Sequence, residues 1–188
     1  MEIPVFVSCP TTLSDKQAAS RAIVIRLLRK YRLEPRDLGR SDYPTELPLR
    51  EVLVIARHCA GGIILGFEQY RSMQGINKPG TPHQDYQESV TSFPTPWNQL
   101  EAGILFGLRL PLLIFRESDI SGGIFDMGVT DVFIHPMPDD ASDSHALNDV
   151  FLKWQANVRQ KYYEGFATHT RSLSAALAYR LRPAHRAS

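Results

Sequence analysis

The chain of 188 residues is 43% hydrophobic and 22% charged, a balance that suits one globular domain with a substantial core. A formal net charge of +1 predicts no general attraction to nucleic acid or to an anionic membrane, although Arg171, Arg180, Arg182 and Arg186 make the last stretch locally basic. The only cysteines, Cys9 and Cys59, form neither a disulfide framework nor a zinc spacing, which points to a reducing cytoplasm.

The opening residues lack a basic segment followed by a long apolar run, and no stretch approaches the roughly 20 apolar residues of a membrane helix, so neither secretion nor membrane insertion is expected. Short apolar runs alternate with helical patterns, the sequence form of a parallel α/β sheet covered on both faces. Ile3 to Val7 is the first expected strand, broken by Ser8-Cys9-Pro10. Ser14 then opens a helix with Gln17 as its capping-box partner, and Ala18, Ala22, Ile25 and Leu28 recur at helical spacing. A strand over Leu33 to Leu38 carries Pro35, which suits an edge. After the polar turn Gly39 to Pro44, a helix from Leu47 to Ala60 places Val52, Leu53, Ala56 and Cys59 inward and stops at Gly61-Gly62.

Gly62 to Phe67 is a continuous apolar run of strand length, as for a central strand buried on both faces. Glu68 to Pro94 is a long aperiodic segment whose Tyr70, Tyr86 and Phe93 favour an active-site flap over a linker, with His83 and Asp85 expected as solvated residues of the flap or, as the alternative, in contact with ligand. Thr95-Pro96 caps a third helix, in which Ala102, Gly103 and Gly107 are small enough for close approach to the sheet. Strands over Leu112 to Phe115 and Asp131 to His135 follow. An amphipathic helix from His145 to Tyr163 ends the expected domain, residues 1–165, and residues 166–188 are expected to form a short helix and basic tail.

The expected fold is therefore a flavodoxin-like three-layer α/β sandwich with a five-stranded parallel sheet. In such sheets ligands bind beyond the carboxyl ends of the strands, near the switch in strand order. Ser8, Cys9, Pro10, Arg40 and Phe67 fall on that rim. Glu101 is the one charged residue between Ser89 and Leu108. A carboxylate isolated on an apolar helix needs a compensating role, because an unpaired charge out of water is costly or shifts its pKa. Trp97, four residues earlier, shares its helix face. An aromatic plate beside a carboxylate suits a flat base joined to a sugar, and the carboxylate can stabilise positive charge on a ribose carbon during N-glycosidic cleavage. The competing readings are an exposed Glu101, or one paired with Arg109 or Arg116, and a Trp97 engaged only in packing.

Other motifs are weak. No Gly-rich dinucleotide fingerprint or P-loop follows the first strand. His58, His83, His135, His145, His169 and His185 lack ligand spacing, so no metal site is expected. Cys9 is either a reactive thiol or an inert, buried one.

With Val5-Phe6-Val7-Ser8, Gly62-Ile63-Ile64-Leu65-Gly66-Phe67 and Pro96-Trp97-Asn98-Gln99-Leu100-Glu101 leading into Leu110-Pro111-Leu112-Leu113-Ile114, the chain resembles the Toll/interleukin-1 receptor (TIR) domain superfamily and the related nucleoside deoxyribosyltransferase-like proteins. TIR domains often carry a tryptophan followed shortly by a glutamate at the start of this helix, and that glutamate is catalytic in members that hydrolyse or cyclise NAD. Glu101 matches it. The resemblance implies NAD as substrate without a resident cofactor, assembly as a homo-oligomer or with an activating protein partner, and a part in antiphage or stress signalling. The segment Glu68 to Pro94 is longer than in typical TIR domains, and Gly39 to Pro44 matches only in position. Deoxyribosyltransferases place their glutamate in an Asp-Gly-rich motif absent around Thr95 to Gly103, which favours NAD. Cleavage or transfer of a nucleoside or deoxynucleotide, and a non-catalytic interaction or nucleotide-sensing module, are the alternatives.

Overall fold

The computed structural model describes residues 2–37, 47–129, 132–140 and 144–180, the last of these as backbone alone from 166 onward. Its centre is a five-stranded sheet in the order β2-β1-β3-β8-β9, formed by Leu33–Arg36, Ile3–Ser8, Gly62–Gly66, Leu112–Arg116 and Ile134–Pro136. Every pairing in it is parallel. With helices on both faces this is the flavodoxin-like three-layer arrangement, and the strand order reverses between β1 and β3.

Alternation along the strands sorts the core into two layers. Val5, Val7, Ile63, Leu65, Phe67, Leu113 and Phe115 face Val24 and Leu28 of α1 (Asp15–Lys30) and Phe151, Trp154 and Val158 of α4 (Ser144–Arg180). Phe6, Ile64, Leu112 and Ile114 face Val52, Ile55 and Ala56 of α2 (Pro48–Arg57) and Ala102 and Leu105 of α3 (Pro96–Gly107). The central strand β3 is buried throughout, as its uninterrupted apolar run requires. Pro35 sits in the outermost strand β2, where its missing N–H costs no ladder bond. Gly66 closes β3 beneath the Phe125 ring, whose Cε1 lies 2.5 Å from where a Cβ would stand. No helix among the described residues is long and apolar enough to cross a membrane.

Several elements differ from the sequence reading. The buried face of α1 is Gln17, Ser20, Val24 and Leu28 rather than the expected phase through Ala18 and Ala22, because Gln17 bonds inward to the Glu68 carbonyl and the Glu117 carboxylate. The capping box of Ser14 and Gln17 is present. The segment after β3 is ordered: β4 (Tyr70–Ser72) pairs with β7 (Thr91–Phe93), and beyond them β5 (Gly75–Asn77) pairs with β6 (Asp85–Gln87), all antiparallel. Strands three residues long are too short to show a period in sequence. The last sheet strand is Ile134–Pro136, later than the expected Asp131 to His135, since β9 pairs only with Ile114, Phe115 and Arg116 at the end of β8. Helix α4 runs unbroken to Arg180, so the expected separate helix after residue 165 is a continuation; the single Gly165 does not stop it. On α3, Ala102 faces the sheet, but Gly103 and Gly107 face open space instead of allowing close approach.

Candidate active site

The site assembles at the carboxyl edge of the sheet, where the strand order switches. Three pieces of chain meet there: the end of β1, the residue just past β2, and the first two turns of α3. Thr95 caps α3 by accepting the Asn98 N–H at 3.3 Å, and Pro96 fills the first helical turn, where no N–H partner is needed. Asn98, Glu101, Ala102 and Leu105 then form the buried face of the helix. Asn98 and Glu101 are thereby one turn apart against the end of β1.

Ser8 is the residue they meet. It follows Phe6 on the α2–α3 side of the sheet and is 1% exposed, as is Asn98. The Asn98 amide Nδ2 donates to Ser8 Oγ at 2.8 Å, and the Ser8 hydroxyl acts on Glu101 to lower its pKa. Glu101 itself is 9% exposed. Burial pushes its pKa from an ordinary 4.5 up to about 7; the Ser8 hydroxyl works in the opposite direction, and the negative charge of Asp37 adds to the rise. Asp37, just beyond β2, is buried and paired with Arg21 of α1 at 3.0 Å.

Glu101 is not an exposed helix residue. Arg116 is occupied elsewhere, its Nη1 donating to the Ile120 and Phe125 carbonyls at 2.7 Å each, and no ion pair to Glu101 is seen among the described residues. A carboxyl near half-protonation at neutral pH, desolvated by burial, can act in either state: ionised, it stabilises a developing cation, and protonated, it donates a proton.

The remaining expected residues divide. Trp97 stands one turn above Glu101 and is 43% exposed, so its indole is open to a ligand. Cys9 is half-buried on the α1 side of the sheet, its thiol donating to the Pro10 carbonyl at 3.5 Å, and Pro10 is buried beside it. Cys9 therefore does not share the Ser8 face with Glu101. Phe67 corrects a sequence expectation: it is fully buried in the layer against α1 and α4, and its ring contributes packing rather than a ligand-facing surface. Arg40 lies outside the described residues. Sequence reading overlooked Asn98 and Asp37. The first was discoverable, since it lies three residues before Glu101 on the same helical face; the second needed the strand order.

A second feature occupies the same edge of the sheet. A cavity of about 820 Å³ opens over β3, β8 and β9, lined by Gln17, Glu68, Arg71, Arg116 and Glu117 among others, and Glu101, Ser8 and Asn98 do not line it. Its wall is the root of the β4–β7 ladder. Glu68 accepts from the Ser92 hydroxyl and pairs with Arg71 at 2.7 Å, contacts that hold its carboxyl below the usual range, while its N–H donates to Glu117 Oε2 at 2.6 Å. No group of acidic, histidine or cysteine side chains able to hold a metal ion occurs among the described residues. Compared with known proteins, the chain matches no family model and no curated relative.

Proposed function

We propose that this domain breaks the N-glycosidic bond of a nucleotide and that NAD is its substrate, with Glu101 set against the ribose carbon that bears nicotinamide. The observation that supports it is the state of Glu101: buried, with its pKa raised by that burial, and placed where strand order switches. A carboxylate so placed gains little from solvent and much from a cationic partner. Cleavage of NAD supplies that partner as the ribose becomes an oxocarbenium ion. Nicotinamide leaves with the bonding electron pair and is neutral once released, so no general acid is needed. Water then adds to the ribose carbon and loses a proton, giving ADP-ribose; attack by the adenine end in place of water gives a cyclic product. The ionised form of Glu101 accompanies the first step and can accept the proton in the second. Trp97 offers an aromatic face to a base.

The reading is tested by mass spectrometry of mixtures of NAD and nucleosides incubated with concentrated protein, alongside Glu101→Gln. Loss of NAD with release of nicotinamide, abolished in the variant, is the expected result. Base exchange among nucleosides without NAD loss would replace it with a deoxyribosyltransferase activity. Inertness toward both at every protein concentration would make the domain a binding module.

A further inference from the structure

The cavity over β3, β8 and β9 has an interior chemistry of its own. Gln17 and Ser20 reach it from α1, one turn apart on the buried face of that helix, and Arg116 and Glu117 reach it from the end of β8. Three of these four side chains keep hydrogen-bonding capacity that the described residues do not use.

Ser20 is 4% exposed, yet its hydroxyl makes no hydrogen bond among the described residues, not even the bond to the carbonyl four residues back that a helical serine can make. The one sealed side-chain polar atom without a partner among those residues is Arg21 Nε, so Ser20 Oγ keeps an outlet, and the space that Ser20 lines is the cavity. Arg116 is fixed by the Ile120 and Phe125 carbonyls, which its Nη1 reaches at 2.7 Å each. Both hydrogens of Nη1 are thereby engaged. Nε and Nη2, the parallel donors that fit a planar oxyanion, remain without a partner among the described residues. Glu117 is the converse case: its Oε2 accepts from the Glu68 N–H at 2.6 Å and from Gln17 Nε2 at 3.2 Å, while Oε1 accepts from nothing among the described residues.

A guanidinium edge already oriented, next in the chain to an open carboxylate oxygen, matches a ligand that carries an oxyanion and a cationic donor a few bonds apart. The lining as a whole holds four carboxylates and three cations, which disfavours a doubly charged phosphate. We propose that this cavity is a binding site for a small zwitterion of the amino-acid class, its carboxylate on the Nε–Nη2 edge of Arg116 and its ammonium on Glu117 Oε1 and Ser20 Oγ. Each charge of the ligand then meets its opposite, and neither protein charge is covered without a partner. A volume of about 820 Å³ leaves room for a side chain beyond the two charged groups. The site is separate from Glu101 and does not depend on the reaction proposed for it.

The test is calorimetric titration of the full chain with the free common amino acids, with the N-acetyl and carboxamide derivatives of each one that binds, and with inorganic phosphate. At least one amino acid should bind, and removing either of its charges should weaken binding at least about tenfold, the scale of one hydrogen bond to a charged group. Arg116→Gln and Glu117→Gln should each cost at least about tenfold, and Ser20→Ala about threefold to tenfold. Should Arg116→Gln or Glu117→Gln fail to fold, the trimmed ligands on the native protein decide, together with Ser20→Ala, which removes only an unbonded hydroxyl. No amino acid bound at about 10 mM, equal affinity for the N-acetyl derivatives, or inorganic phosphate bound more tightly than any amino acid would each overturn the assignment, whatever is found for NAD.

Discussion

Asp37 and Glu101 act on one another electrostatically at the end of the sheet, and Arg21 pairs with the first of them. Its guanidinium pairs with Asp37 at 3.0 Å, while burial of Glu101 raises its pKa to about 7 against the opposing effect of the Ser8 hydroxyl. One acidic group is thus matched with a cation, and the other is left responsive to pH within the range where an enzyme works.

Catalysis by ionised Glu101 should therefore climb with pH through about 7 in kcat/KM, the free-enzyme titration, and level off above it. Asp37→Asn removes the like charge and should move this limb to lower pH. A rate already level from pH 5 upward would show that ionisation of Glu101 does not govern the reaction.

The same group makes the fold sensitive to pH. Its folded pKa of about 7 exceeds the ordinary 4.5, so its contribution to stability is fully present below 4.5 and is lost as pH rises through 7. The loss amounts to about 3 kcal/mol, at 1.36 kcal/mol per unit. Glu101→Gln, which keeps the shape without the charge, should be more stable than the native protein at pH 8 by up to that amount and nearly equal to it at pH 4. Urea unfolding at both values checks this, and a variant destabilised equally at both would contradict it.

Trp97 has its indole partly in solvent, so Trp97→Ala should leave the far-ultraviolet circular dichroism spectrum unchanged. If the ring stacks on a base, KM should rise about tenfold, one aromatic contact, with kcat within about twofold. Steady-state kinetics on NAD separate the two parameters. An unchanged KM would remove Trp97 from the site.

Gly66 is required by packing. A methyl there would stand 2.5 Å from Phe125 Cε1, and β3 lies too deep to move aside. Gly66→Ala should cost about 1–3 kcal/mol in denaturant unfolding, with Phe125→Leu recovering part of it. A neutral effect would mean that the Phe125 ring turns away freely.

The parallel sheet was legible because its strands carry strong local signals: the apolar run of β3, the capping box of α1 and the Thr-Pro start of α3. Glu101 was legible for the opposite reason, as a charge where the helical pattern had none. What escaped was whatever depends on partners distant in the chain. Gln17 is buried by Glu68 and Glu117, which no window around α1 contains. The influence of Asp37 on Glu101 arises only once β2 and α3 converge at one edge. Phe67 looked like a rim residue by its place after β3, yet its ring turns to the α1–α4 layer, a side-chain direction that strand position alone did not reveal.

The paired ladders between Tyr70 and Phe93 bond chiefly to one another, while their base is fastened by Glu68, Ser92 and Glu117. Such an insertion is mechanically separate from the domain that bears it. Its length and tip can drift over evolutionary time without disturbing the layers below, provided the knot at its base survives. Relatives of this chain would then differ most in that projection while keeping the same floor beneath it.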